Sequence, residues 1–451
     1  MLRRKIDKII SDFYNNEKKA LLITGARQIG KSFSIREYGK KHFKRYVEIN
    51  FIKTPNATSI FKSYTDSNDI LLRLSAFSDE PLIKGDTFIF FDEVQACPEV
   101  VTAIKFLVED GSYRYALSGS MLGVELKDLR SAPVGYMDIE NMYPLDFEEF
   151  LMAIGVNDDV ISSVRNAWEN RIPVDSFIHD RLINAFRLYL VVGGMPDVVN
   201  RYIESNDLNQ VMNVQNEILK LYKVDATQYD KEEKLNINEV FDIIPSELNS
   251  KNKRFILKNL NEKSKFRKYE DSFLWLKNAG VALPVYNAEE PKTPLVLART
   301  RSLFKLFQND VGLLAAQYAD GIQLKIISGD DDINFGAIYE NVVAQELTAH
   351  GFGQLYYYNN KKQGELDFVI EHNDRVLPIE VKSGKDYKRH RALNNIMSMD
   401  EYDINDAIVL SNENLSTEGN ILYAPIYMTM FITKKRIQSP LIYKFDLDGL
   451  K

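Results

Sequence analysis

The sequence predicts an α/β protein with a parallel-sheet domain first, a helical middle and a second α/β unit last. Three observations predict it. Short apolar runs alternate with helical patterns between residues 20 and 150, a glycine-rich loop sits at the first strand-to-helix junction, and after about residue 335 the pattern changes to strands flanking helices.

The first domain opens on the strand ALLIT, passes through GARQIGKS and continues as the helical pattern KSFSIREYGKKHF. GARQIGKS matches GxxxxGK[ST], with all three parts in the order that a phosphate-binding loop requires. Gly25 and Gly30 let the backbone curl so that the amides of Ala26, Arg27, Gln28 and Ile29 face phosphate oxygens. Lys31 then reaches the β and γ phosphates and Ser32 offers a hydroxyl to magnesium. ATP and Mg are the expected ligands.

Further on, TFIFFDE is an apolar strand that ends on two acids, 60 residues after Ser32. A buried strand in that place delivers Asp92 to magnesium and leaves Glu93 to orient and deprotonate water. The next strand, YRYALSGS, ends in hydroxyl residues, so Ser118 and Ser120 are candidates for sensing the γ-phosphate.

Residues 156–235 read as a helical lid or connector, broken at GGMPDVV by Gly193, Gly194 and Pro196. Residues 236–325 begin with helices and pass into a strand, the order of a winged-helix module. This region carries KNKRFILKNLNEKSKFRK, Lys251 to Lys268, with eight basic residues against one acidic. Such a run is either a solvated helical face or a DNA contact.

After about residue 335 a helix (AIYENVVAQELTAH) precedes the strands QLYYYNN, ELDFVIEHN and RVLPIEVKSG. Residues two apart in a strand face the same side, so Glu380 and Lys382 project together, and Asp367 on the neighbouring strand can join them. Glu340, on the helix, is placed to add a further ligand. Two carboxylates and a lysine on one patch suit magnesium-dependent phosphodiester cleavage, or else form an exposed cross-strand ion pair.

The totals bound the rest. A chain of 451 residues predicts two or three domains, and its net charge of -7 argues against a protein coated in nucleic acid. Its one cysteine, Cys97, excludes a disulfide framework and suits a cytosolic setting. The charged N-terminal stretch has no continuous apolar run, so neither a membrane span nor a signal peptide is expected.

With both sites identified, the chain resembles the prokaryotic AAA-type ATPases that carry a winged-helix connector and a C-terminal restriction-endonuclease-like, PD-(D/E)XK domain. GARQIGKS, FFDEVQ, LSGS, YPLDFEEFL, VGGMPDVV, KLFQNDVGLL, ELDFVI and IEVKSG carry the resemblance in that order. It implies an ATPase domain over 1–155, then the connector, the winged helix, and a nuclease-like domain over 326–451. By the same resemblance Lys31, Ser32, Asp92 and Glu93 take the ATPase roles, while Asp367, Glu380 and Lys382, with Glu340 as helix acid, match the nuclease core. Self-assembly is compatible with it. One departure stands out: Tyr136 occupies the place of an arginine, so a nucleotide-contacting arginine is either missing or replaced by Arg130 or Arg27.

Overall fold

The computed structural model describes residues 2–119, 135–229, 234–250, 254–255, 266–330 and 335–434. Helix α1 (Lys5–Asn16) leads into β1 (Ala20–Thr24), followed by α2 (Lys31–His42), β2 (Arg45–Asn50), α3 (Ser67–Phe77), β3 (Thr87–Asp92), α4 (Pro98–Asp110), β4 (Arg114–Gly119) and β5 (Met137–Asn141). The five strands form one parallel sheet in the order β2-β3-β4-β1-β5.

Side-chain alternation explains why this sheet is covered on both faces. Leu21, Ile23, Phe88 and Phe90 pack with Ile6 and Ile10 of α1 and Ile35 of α2. Their neighbours Leu22, Ile89, Phe91 and Leu117 pack with Val100, Ile104 and Leu107 of α4. Strands buried on both faces read as continuous apolar runs, as ALLIT and TFIFF do.

The middle region is helical: α5 (Phe147–Ala153), α6 (Asp158–Asn170), α7 (Ser176–Val192), α8 (Pro196–Ser205), α9 (Leu208–Tyr229), α10 (Lys234–Asn249) and α11 (Phe266–Asn278). The starts follow ordinary capping: Asp146 and Glu149 make a reciprocal capping box on α5, and Asp175 caps α7. Among the described residues no single helix is long and apolar enough to cross a membrane.

The remaining elements are β6 (Ala282–Ala288), β7 (Arg299–Gln308), α12 (Val311–Ala315), α13 (Ile322–Ser328), α14 (Phe335–Ala349), β8 (Leu355–Asn360), β9 (Gly364–His372), β10 (Arg375–Val381), α15 (Arg391–Met397), β11 (Ala407–Ser411), β12 (Ser416–Glu418) and β13 (Ile421–Pro425). Their strands form one sheet of eight, ordered β12-β13-β11-β10-β9-β8-β6-β7. The β9–β10 turn places Asn373 and Asp374 at φ 51° and 61°, the left-handed pair that suits a two-residue hairpin loop.

The wing expected between residues 236 and 325 does not stand apart. β6 and β7 pair with each other, and β6 also runs parallel to β8, Val285 opposite Leu355. An unpaired edge would leave its backbone groups open, and pairing with β8 closes it. The middle helices and one face of the second sheet share a continuous core with the first domain, running from Ile6 to Ile432. A domain boundary near residue 325 would divide one sheet, because β6 and β7 precede it and β8 follows it.

Candidate functional site

The loop from Gly25 to Gly30 turns between the end of β1 and the start of α2. A Cβ on Gly25, at φ 141°, would lie 2.2 Å from the Met142 carbonyl oxygen, so the close backbone approach requires glycine. Gly30, in the left-handed region at φ 93°, precedes the first turn of α2. Arg4 braces the loop from outside, donating to the carbonyl oxygens of Ile29 (3.0 Å) and Tyr143 (2.7 Å).

Lys31 points inward and donates to the carbonyl oxygens of Gly25 (3.0 Å) and Ala26 (2.6 Å). Burial draws its pKa down to about 8, against the opposing pull of Glu93 and Asp92. A cation so placed gains from an anion brought into the loop.

Asp92 is the centre of the acidic side. Strand β4 lies between β1 and β3, so three strand ends converge on this carboxylate. Ser32 donates to Asp92 Oδ1 at 2.8 Å, the Ser118 hydroxyl donates to the same oxygen, and the Asn50 amide donates to Oδ2 at 2.7 Å. The expected Lys31, Ser32, Asp92 and Ser118 are therefore brought together; Ser120 and Arg130 lie outside the described residues.

Glu93 follows in the left-handed region at φ 58° and accepts a bond from the Gln95 amide. Such a conformation in a non-glycine residue is uncommon and turns the side chain away from the strand direction. The charge of Glu93 supports the protonated form of Lys31 against burial.

Tyr136 takes no part. It lies just before β5, where the parallel strands begin and opposite the end that carries the P-loop, and its hydroxyl donates to Glu109 at 2.6 Å. Arg27 pairs with Asp225 of α9, and the Tyr222 hydroxyl reaches the Arg27 carbonyl oxygen at 3.5 Å. The helical region thus touches the loop directly. Asn50, Asp225, Tyr222 and Arg4 were missed by the sequence reading, because each acts through a pairing that no local pattern announces.

Ser118→Ala tests the strand-end arrangement. Losing one positioning hydrogen bond of about 1.4 kcal/mol should lower the turnover of ATP about tenfold, with ATP affinity nearly unchanged, in steady-state assays.

The second site gathers where β9 and β10 run side by side. Asp367 accepts the Val381 amide at 2.9 Å, and Lys382 donates to Glu380 Oε1 at 2.6 Å. Glu340 reaches the same group from α14, and its charge, with those of Glu380 and Asp367, holds the Lys382 pKa up against burial. All four expected residues therefore meet.

Two further residues join them. Lys305 of β7, wholly buried, lies 3.2 Å from Glu340 and 2.8 Å from Glu365. Burial pushes its pKa down, but the charges of Glu340, Glu365 and Asp367 outweigh that and keep it protonated. No signal in FKLFQ marks Lys305, because an inward lysine in an apolar strand looks like any other strand residue. Among the described residues no group of three or more His, Cys, Asp and Glu is spaced to hold a metal ion. The donor chemistry still suits a divalent cation at one point: Glu380 Oε2 is buried without a hydrogen-bond partner, on a residue 6% exposed.

Of the basic run Lys251–Lys268, residues 251–253 and 256–265 lie outside the described residues.

Residues 17–151 match the family model of the AAA domain. The first unit is an AAA-ATPase-like domain. Two domains of unknown function match the rest, DUF8612 over residues 183–324 and DUF4143 over residues 335–428. No curated protein matches the chain. Among solved structures it is similar to a Walker-type ATPase of Pyrococcus abyssi, at 14% identity over 70% of this chain and 96% of the other, with a TM-score of 0.43. The Orc1 protein of Aeropyrum pernix, in complex with DNA, aligns at 11% identity over 72% and 91%, with a TM-score of 0.29. The RuvB Holliday junction branch migration motor of Thermotoga maritima aligns at 13% identity over 65% and 91%, with a TM-score of 0.29.

The AAA-type fold is consistent with ATP binding and hydrolysis. The regions that follow it are helical and mixed-sheet, and their fold is unassigned.

Proposed function

We propose that the chain binds ATP with magnesium at Gly25–Ser32, hydrolyses it, and uses the nucleotide cycle to regulate phosphodiester cleavage of DNA at its C-terminal site. The observation that carries the first part is Lys31, a desolvated cation held by the loop carbonyls of Gly25 and Ala26.

On ATP binding Lys31 would turn from Gly25 and Ala26 to the β and γ phosphates, and Ser32 from Asp92 toward the metal. Magnesium, when bound, neutralises phosphate charge. Glu93 would take the proton of the water that attacks the γ-phosphorus while the bond to the bridging oxygen breaks. Ser118 would hold Asp92 in place throughout.

In the C-terminal site Asp367 and Glu380 would hold a divalent cation, and Lys382 would steady charge on the cleaved phosphate. The cation, when bound, would supply Lewis acidity and an activated water. The unpartnered Glu380 oxygen supports this reading. The basic residues between Lys251 and Lys268 would contact the DNA backbone, and self-assembly would follow the AAA-type pattern.

The test uses the full chain with supercoiled and single-stranded DNA, magnesium, and either ATP or none. Cleavage should appear and fall at least about a hundredfold in Lys382→Ala. Absence of lysine-dependent cleavage on either DNA would remove the nuclease reading. A second reading, a nucleotide-switched DNA- or protein-binding protein with a non-catalytic C-terminal domain, is favoured by Lys305, which already neutralises part of the acidic cluster. Under that reading DNA is retained but intact, with affinity that falls steeply with salt.

A further inference from the structure

The C-terminal cluster holds more charge than the expected acids and lysine. Four carboxylates, Glu340, Glu365, Asp367 and Glu380, meet two ammonium groups, Lys305 and Lys382. The two lysines are used differently. Lys382 is partly exposed and pairs with Glu380, so it can move when a ligand enters. Lys305 has no exposed side-chain surface, and its ammonium also lies 5.1 Å from the centre of the Tyr357 ring.

A buried ion group of this kind is rarely kept for stability, since apolar side chains of similar size usually serve as well. What Lys305 does supply is a fixed positive charge between the helix acid and the sheet. By ion-pair distance the carboxylates divide into two sets, although the charge of Asp367 also acts on Lys305 and that of Glu340 on Lys382. Glu340 and Glu365 converge on Lys305 at ion-pair distance, while Asp367 and Glu380 lie side by side on β9 and β10. Only the second set contains a buried carboxylate oxygen without a partner, Glu380 Oε2.

We infer that Lys305 is a built-in cation that takes Glu340 and Glu365 out of the metal shell, so that the C-terminal site accepts a single divalent ion, held by Asp367 and Glu380. The inference rests on the metal-dependent reading of this site and changes one part of it: the helix acid Glu340 becomes a positioning residue, acting through Lys305.

Binding of Mn2+ to the full chain, without nucleotide and followed by electron paramagnetic resonance, separates the possibilities. The intact chain should bind one ion in a Glu380-dependent manner. Glu380→Gln should weaken that binding by more than about a hundredfold, as the loss of a ligand does, whereas Glu340→Gln should weaken it by roughly ten- to a hundredfold, the effect of a residue outside the shell. Glu340→Gln costing as much as Glu380→Gln would overturn the inference. Lys305→Met should create a second Mn2+ seat on the released carboxylates, and an unchanged count of one in the folded variant would also overturn it. Should Lys305→Met not fold, the isosteric glutamine variants still decide. No Glu380-dependent Mn2+ binding to the intact chain would instead defeat the metal-dependent reading, a result distinct from a failure of the role given to Lys305.

Discussion

Lys31→Ala should reduce ATP turnover by at least about a hundredfold, because it removes the cation aimed into the loop at the charge that develops on the leaving phosphates. The same lysine makes ATP binding depend on pH in a definite direction. Its pKa is about 8 in the folded chain, below the ordinary lysine value, and bound phosphate must raise it by favouring the charged form. Binding therefore takes up a proton at any pH between those two values. Affinity should be steady below pH 8 and fall as pH rises above it, by up to tenfold per pH unit. The stability of the empty protein changes with the opposite sign: a lysine whose folded pKa is depressed costs stability when protonated, so the cost is relieved as pH rises through about 8. Calorimetric titration of ATP in two buffers of different ionisation heat measures the proton uptake. An affinity that does not change between about pH 7 and 9, or one that also falls in Lys31→Ala, would show that Lys31 is not the group responsible.

The difference between what was legible in the sequence and what was not follows from distance along the chain. Gly25, Gly30, Lys31 and Ser32 lie within one short stretch at the junction of β1 and α2, and local backbone geometry alone demands that spacing. Asp92 and Ser118 were readable because each ends an apolar strand, and strands of a parallel sheet bring their ends to one edge. Asn50 also ends a strand of this sheet, directly opposite Asp92, yet β2 is largely polar and nothing in EIN says which strand lies beside it. Asp225 and Lys305 were further out of reach: the first is set by how α9 lies across the loop, the second by how β7 faces α14. The winged-helix expectation rested on a correct order of elements, helices and then a strand. The order could not say that the strand would extend a larger sheet.

The glycines of VGGMP carry the second large expected effect. Gly194→Ala should destabilise the chain by about 3 kcal/mol or more, at the upper end of overpacking costs, because the new Cβ would stand 2.0 Å from the Leu145 carbonyl oxygen and 2.7 Å from its nitrogen. Backbone cannot yield there as a flexible side chain would. Leu145 donates its amide to the Gly194 carbonyl at 2.7 Å, while the Gly194 amide donates to Asp310 Oδ2 at 2.6 Å. Three short segments far apart in sequence, YPL, VGGMP and NDVGLL, are thereby locked at one point. Burial lifts the Asp310 pKa to about 6 despite the amides of Gly194, Leu313 and Gly312 that bond it. From this point two routes run outward. Asn309, the neighbour of Asp310, approaches the Tyr222 hydroxyl at 3.5 Å, and Tyr222 in turn approaches Arg27 of the P-loop. In the other direction the Val311 amide donates to Gln345 of α14, the helix that carries Glu340 into the acidic cluster. If these contacts form one mechanical unit, Gly194→Ala should lower the melting temperature and also remove any effect of ATP on the C-terminal site. Gly384→Ala is the matched control, since a Cβ there meets nothing within 4 Å and its backbone is not left-handed. Equal melting temperatures for the two variants would show that the junction accommodates the extra carbon and that the close approach is not a constraint on the fold.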